Sequence, residues 1–119
     1  MGRPQDILNW AAHTFGRVAL QRQERTARFV EEAIELAQAD DMTVFQVMKI
    51  LARVYERPKG QYRKEIAQCG MTLEALAANV ACNLDEAIQG EFDRVRAIPM
   101  EHWQDRHDAK VKLGIAEAR

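Results

Sequence analysis

The sequence has little of what marks several common protein classes. Two cysteines and three histidines stand among 119 residues, without a C-x-x-C pair or a paired-histidine spacing, which argues against a disulfide framework or a transition-metal site. Cys69 and Cys82 are expected to be reduced and semi-buried. No apolar run approaches the roughly 18–20 residues that span a bilayer, and the first residues lack the regions of a signal peptide. We therefore expect a cytoplasmic protein without a membrane partner.

An excess of either charge is also missing. The chain has 17 basic and 18 acidic residues and therefore a net charge of -1. It has no general positive field that would attract a nucleic-acid backbone. A small DNA-binding regulator would use residues 43–55 as its recognition helix, but that stretch offers only Lys49 and Arg53 as bases. We predict no nucleic-acid partner. A hydrophobic content of 47% is that of an ordinary globular domain.

The hydrophobic pattern has a helical period throughout. No segment alternates with period two and no Asn-Gly or Asp-Gly hairpin signal occurs, so the fold class is predicted to be all-α, a bundle of four to five helices. Thr43 is a plausible N-cap. We expect one domain over residues 1–99, followed by a tail or short helix over 100–119. The predicted helices cover about 4–15, 26–39, 44–55, 62–82 and 84–98.

Three carboxylates lie close together on the second predicted helix. Glu31 and Glu35 are four residues apart and Glu32 and Glu35 three apart, so all three share one part of the helix surface. Like charges at these spacings repel, and solvent, nearby bases or a metal ion must compensate them. A solvated acidic face is the simplest interpretation, and a metal site is the alternative.

A fourth carboxylate favours the metal site. Glu65 continues the apolar line of the fourth predicted helix, which runs through Cys69, Leu73, Leu76 and Val80 and is expected to pack into the core. A charge on such a line needs a partner, which could equally be the helix N-terminus or a nearby base. If the second and fourth helices are neighbours, Glu32, Glu35 and Glu65 converge. Carboxylate oxygens suit Mg²⁺, with Mn²⁺ as an alternative.

Three segments together resemble a known family. FVEEAIELAQA, then VYERPKGQYRKEIAQCGMTLEALA, then NLDEAIQGEFDRV are similar to the all-α nucleotide pyrophosphohydrolases of the MazG-like superfamily, and to its small phage- and bacteria-type members with an R-P-x-G loop before the second acidic helix. The resemblance extends from about Trp10 to Val95. It implies Mg²⁺-dependent cleavage of a nucleoside triphosphate, NTP or dNTP, between the α- and β-phosphates to give the monophosphate and pyrophosphate.

The resemblance also implies the metal ligands. The family places E-x-x-E on one helix and E-x-x-D on another. Carried over, the first element corresponds to Glu31, Glu32 and Glu35, and the second begins at Glu65. Gln68 stands where the family has an aspartate, which removes one anionic ligand.

A third family element is altered as well. Where members carry a K-F-N segment this chain has Glu91-Phe92-Asp93. Asp93 can replace an asparagine ligand, whereas Glu91 cannot replace a phosphate-binding cation. Candidate substrate-binding bases are the next ones in sequence, although each also suits an ordinary surface position: Lys59, Arg63 and Lys64. Glu32 or Glu35 is the candidate catalytic residue that accepts a proton from the attacking water.

Two further expectations follow. The departures at Gln68 and Glu91 favour an alternative function, a catalytically impaired module of the same fold that binds a nucleotide or a protein partner. In addition, short helices with broad apolar faces are usually packed against another protein surface, so we expect a homodimer or homotetramer.

Overall fold

The computed structural model describes residues 2–119, and within them the prediction of an all-α fold is confirmed. These residues contain no strand. They form six α-helices, one more than the four to five predicted for the bundle, because the segment expected to be a tail or short helix does contain a helix. The helices are α1 (Arg3–Phe15), α2 (Arg22–Ala39), α3 (Val44–Tyr55), α4 (Tyr62–Asn79), α5 (Leu84–Ala97) and α6 (Met100–Lys112).

The link between α1 and α2 is partly helical. Gly16 has a φ of 79°, a left-handed conformation that suits glycine, and it ends α1 as expected. A 3₁₀ helix follows over Gly16–Leu20. The second helix therefore begins at Arg22, four residues earlier than the predicted start at Thr26.

The ends of the later helices follow local side-chain signals. Thr43 is the N-cap of α3, as predicted, and forms a capping box with Gln46: Gln46 N donates to Thr43 Oγ1 (3.2 Å) and Thr43 N donates to Gln46 Oε1 (2.7 Å). Asn83 Oδ1 accepts from Glu86 N (3.1 Å) in the first turn of α5. The predicted end of α4 at Cys82 is wrong, since the helix stops at Asn79 and Ala81 turns the chain with a φ of 54°.

The chain divides into two compact units, Met1–Met42 with Arg94–Arg119 (unit 1) and Thr43–Asp93 (unit 2). Most of the buried residues belong to unit 1: Ala11, Thr14, Val18, Ala19, Glu24 and His107. An aromatic cluster joins α1 to α6 there. Trp10 meets Trp103 edge to face at 6.1 Å, and Phe15 lies 5.3 Å from the ring of His107. The residues predicted to be a tail or short helix thus help to build this core.

Unit 2 has almost no interior of its own. Only Ala77 and Phe92 are buried among its residues, and α3 buries none. The predicted core line of α4 is exposed in the single chain, with Leu73 at 37% and Val80 at 62% of their accessible surface. Cys69 and Cys82 are unpaired, as expected, but exposed rather than semi-buried. Over residues 2–119, no helix is both long and apolar enough to cross a bilayer.

Candidate functional site

The acidic face of α2 lies in unit 1. Helical spacing brings Glu31, Glu32 and Glu35 onto neighbouring positions, as predicted. Glu31 is half-buried, whereas Glu32 and Glu35 are exposed. The three acids therefore share a helix surface but not an environment.

Glu31 is neutralised by bases. Lys110, on α6, donates from Nζ to Glu31 Oε1 over 2.8 Å, and Arg28 Nη1 lies 3.5 Å from the same oxygen. Partial burial on its own raises the pKa of the Glu31 carboxyl. The hydrogen bond and charge of Lys110, with the charges of Arg28 and Arg106, outweigh burial and bring that pKa below its ordinary value. Glu31 thus remains ionised and is held by α6.

Arg28 connects this pair to the interior of unit 1. Its Nε lies 3.1 Å from Oε2 of the buried Glu24, one turn earlier on α2, and its Nη2 donates to the carbonyl oxygen of Ile115. Arg28 thus meets residue 115 while Glu31 meets residue 110, so α2 contacts the C-terminal part of the chain at two points. Arg28 and Lys110 together fix the acidic face of α2 relative to α6.

Glu32 experiences the opposite balance of charges. Loss of part of its hydration, followed by the negative charges of Glu35 and Glu31, raises the pKa of its carboxyl, and the more distant Lys110 and Arg106 only partly oppose this. No base forms an ion pair with Glu32 or Glu35 among the residues that the structure describes. The negative charge at these two positions is therefore not neutralised by an ion pair.

Glu32 and Glu35 carry carboxylate oxygens, the ligand type that a hard divalent cation takes. Mg²⁺ in proteins is commonly bound through one or two carboxylates, with waters and substrate phosphates completing its coordination. Within each unit, over residues 2–119, no three acidic, histidine or cysteine side chains form a ready-made metal-binding group. Glu32 and Glu35 would supply protein ligands, and a cation would relieve their mutual repulsion.

Glu65 lies in unit 2, in the first turn of α4. Its side chain folds back onto the loop before the helix, so that a Cβ added to Gly60 would stand 3.1 Å from Glu65 Oε1. The glycine of the R-P-x-G loop thus leaves room for this carboxylate. Glu65 is exposed, and Gln68 follows on the same helix.

The other predicted residues of unit 2 are exposed as well. Lys59 lies in the loop, and Arg63 and Lys64 lie in the first turn of α4 with Glu65. Asp93 Oδ1, on α5, accepts a hydrogen bond from Gln89 Nε2 (3.0 Å). Because these residues and the α2 acids belong to different units, their convergence stays a prediction.

Sequence reasoning missed the roles of two bases in unit 1. The spacing of Glu24, Arg28 and Glu31 (i, i+4 and i+7) could have indicated that Arg28 bridges two acids along α2. Lys110 is 79 residues from Glu31 in sequence, and no local signal links them.

A shallow cleft of about 550 Å³ also opens in unit 1, between the end of α1 and the C-terminal segment. Its walls include Phe15, Gln104 and the ion pair of Asp108 with Arg119, whose Nε lies 2.9 Å from Asp108 Oδ1. None of the predicted site residues lines it. Comparisons with protein-family models, with curated proteins and with solved structures find no match for this chain.

Proposed function

We propose that this protein is a Mg²⁺-dependent nucleoside triphosphate pyrophosphohydrolase, which converts an NTP or dNTP to the monophosphate and pyrophosphate. The observation that supports the proposal best is that Glu32 and Glu35 form no ion pair, although the neighbouring Glu31 is neutralised by Lys110. The three segments that resemble the MazG-like family add the reaction class and extend the proposed site to Glu65.

In this proposal each carboxylate has a role. Glu32 and Glu35 would hold the divalent cation, the resemblance adds Glu65 as a further ligand, and the cation would supply positive charge to the phosphate oxygens. The oxygen of a water attacks the α-phosphorus, the bond to the α–β bridging oxygen breaks, and pyrophosphate leaves. Glu32 accepts the proton of that water at a carboxylate oxygen, a role that suits a carboxylate whose pKa is raised. Candidate phosphate contacts come from Lys59, Arg63 and Lys64.

We further propose that the active protein is a homodimer or homotetramer. The apolar side chains of α3 are largely uncovered in one chain, with Phe45 71% and Tyr55 82% exposed. Soluble proteins rarely expose large contiguous apolar patches, because covering them is favourable. A second copy of the chain is the partner proposed to cover unit 2.

Pyrophosphate release from a panel of NTPs and dNTPs with Mg²⁺ tests the proposed reaction. Glu32→Gln and Glu35→Gln remove a charge with little change of shape and should each lower kcat/KM about 100-fold. Glu101→Gln, an exposed glutamate on α6, is the matched control and should leave turnover within twofold. No pyrophosphate from any nucleotide, together with no nucleotide binding, would refute the proposal.

A second candidate is nucleotide or protein binding without turnover. One reason for it is that Glu31 forms an ion pair with Lys110, which leaves fewer carboxylates available to bind a metal ion. The other is that Gln68 stands where the resembling family has an aspartate. Calorimetry with Mg²⁺ and α,β-methylene analogues separates the two candidates. Tight binding of an analogue without pyrophosphate release from the natural nucleotide would support the binding module.

A further inference from the structure

The cleft at the end of α1 is a second place in unit 1 where a ligand fits. Its volume of about 550 Å³ lies within the range of small-molecule sites. The last turn of α1, part of α6 and the end of the C-terminal segment form its walls. On α6, Asp108 lines the cleft whereas Lys110 contacts Glu31, and two residues of helix separate their directions by about 200°. The cleft is therefore distinct from the acidic face of α2.

Thr14 gives this cleft a polar group that the protein itself does not use. The residue is only 2% exposed and forms part of the wall. Its carbonyl oxygen accepts a hydrogen bond from Gln104 Nε2 (2.9 Å), but its hydroxyl has no hydrogen-bond partner among residues 2–119. Buried hydroxyl groups are normally hydrogen-bonded. A ligand in the cleft would supply the partner that the Thr14 hydroxyl lacks.

The charges around the cleft favour a cation. The last turn of α1 is the negative end of the helix dipole, and the carboxylate of Asp108 lines the same cleft. Arg119 of the chain itself now meets this charge, because its Nε and Nη2 donate to the two oxygens of Asp108 over 2.9 and 3.0 Å. These hydrogen bonds, with the negative charges of Asp108 and Asp105, raise the pKa of the Arg119 guanidinium. Phe15 adds an aromatic ring, a group that attracts cations.

We propose that this cleft binds a small molecule that carries a guanidinium group on an apolar stem, and that Arg119 occupies the guanidinium position when no ligand is bound. The ligand would take over the paired hydrogen bonds to Asp108, donate to the Thr14 hydroxyl oxygen and place its stem along Phe15. Both side chains of the present ion pair are partly exposed (34% and 46%), so displacement of Arg119 costs little. The inference does not depend on pyrophosphohydrolase activity.

Titration of the full chain with ethylguanidinium tests the site, with the NMR shift of the Gln104 side-chain amide as the readout. Ethylurea, a neutral compound of nearly the same shape, is the matched control ligand. Ethylguanidinium should give a saturable shift and ethylurea none. No saturable shift with ethylguanidinium would refute the site, and equal affinity for ethylurea would refute its preference for a cation.

Variants of the wall test the two proposed contacts. Asp108→Asn removes the carboxylate charge and should weaken ethylguanidinium binding about tenfold, the scale of a charge-assisted hydrogen bond. Thr14→Val keeps the shape of the side chain and should weaken binding about threefold. Glu101→Gln removes a charge from α6 outside the cleft and is the control. Circular dichroism verifies that each variant is folded, and unchanged affinity in a folded Asp108→Asn would overturn the proposal.

Arg119→Gln tests the role of the chain's own guanidinium. The variant should bind ethylguanidinium about threefold more tightly, because the ligand no longer competes with a weak, exposed ion pair. Lys112→Gln removes a cation that acts on Asp108 through its charge and is the matched electrostatic control. Equal gains from the two variants would show a general effect of charge and would refute the assignment of Arg119.

Discussion

Lys110 and Glu31 are joined by a 2.8 Å hydrogen bond across 79 residues of sequence, and this bond ties α6 to α2. We predict that it stabilises unit 1 in the absence of metal. In a double-mutant cycle, Glu31→Gln and Lys110→Gln should each lower the free energy of unfolding, with a coupling of about 1 kcal/mol. Urea unfolding measures this free energy for the parent, the two single variants and the double variant. Strictly additive effects would contradict the prediction, and Lys112→Gln should lie within about 0.5 kcal/mol of the parent.

The same pair predicts a dependence of stability on pH. The pKa of Glu31 is lower in the folded protein than its ordinary value of 4.5, so its contribution is fully present above 4.5 and is lost as pH falls through the lower folded value. Thermal unfolding between pH 7 and pH 3 should therefore show a steeper loss of Tm for the parent than for Glu31→Gln. Identical profiles would show that another group governs acid unfolding.

Glu32 should behave in the opposite way. Its pKa is raised in the folded protein, so its ionised form costs stability at neutral pH and protonation relieves this cost as the pH falls. Glu32→Gln should consequently leave the Tm at pH 7 unchanged or slightly higher while it lowers pyrophosphate release. A marked loss of Tm would instead mean that Glu32 makes a stabilising contact and would weaken its assignment as a catalytic residue.

Gly60 allows the position that the Glu65 carboxylate adopts. In Gly60→Ala the new Cβ would lie 3.1 Å from Glu65 Oε1, so the flexible, exposed side chain should move by a few tenths of an ångström. If Glu65 completes the metal site, pyrophosphate release should fall about tenfold, because catalytic geometry tolerates little displacement. Gly70→Ala, on α4 with nothing within 4 Å of its Cβ, is the control and should retain activity. Equal activities would argue against Glu65 as a ligand.

The exposed face of α3 is the proposed interface between copies of the chain, and a substitution on it tests the oligomer. Leu51 is 54% exposed in the single chain, so Leu51→Asp would cost little if the face met only solvent. If a second copy covers this face, the aspartate would be a buried charge in the interface and should dissociate the oligomer. Light scattering should then give the mass of one 13.6 kDa chain. Lys49→Asp introduces the same residue about 200° away around α3 and should leave the mass unchanged. A single-chain mass for the parent protein would refute the oligomer.

Local signals explain which parts of the fold could be predicted from the sequence. Thr43 and Gln46 cap α3 through contacts three residues apart, and proline and glycine mark the loop before α4, so these boundaries can be recognised directly. The grouping of Glu31, Glu32 and Glu35 follows from helical geometry alone. Boundaries without such signals were missed, including the start of α2 at Arg22.

The environment of each acid could not be predicted in the same way. Helical spacing predicts that Glu31 lies beside Glu35. The packing of α6 decides that Glu31 pairs with Lys110, whereas Glu32 and Glu35 do not. The apolar line through Leu73 and Val80 was predicted to pack into the core but is exposed in the single chain, because a periodic pattern does not specify what covers it. Long-range and intermolecular contacts depend on the whole assembly of helices.

Unit 2 buries only Ala77 and Phe92 in the single chain. Ordering each residue costs about 1–2 kcal/mol of backbone entropy, and two buried side chains offset little of that. If a second copy supplies the missing interior, dilution alone will loosen residues 43–93 and open them to proteases. The cellular concentration of the chain would then set its lifetime as well as its activity.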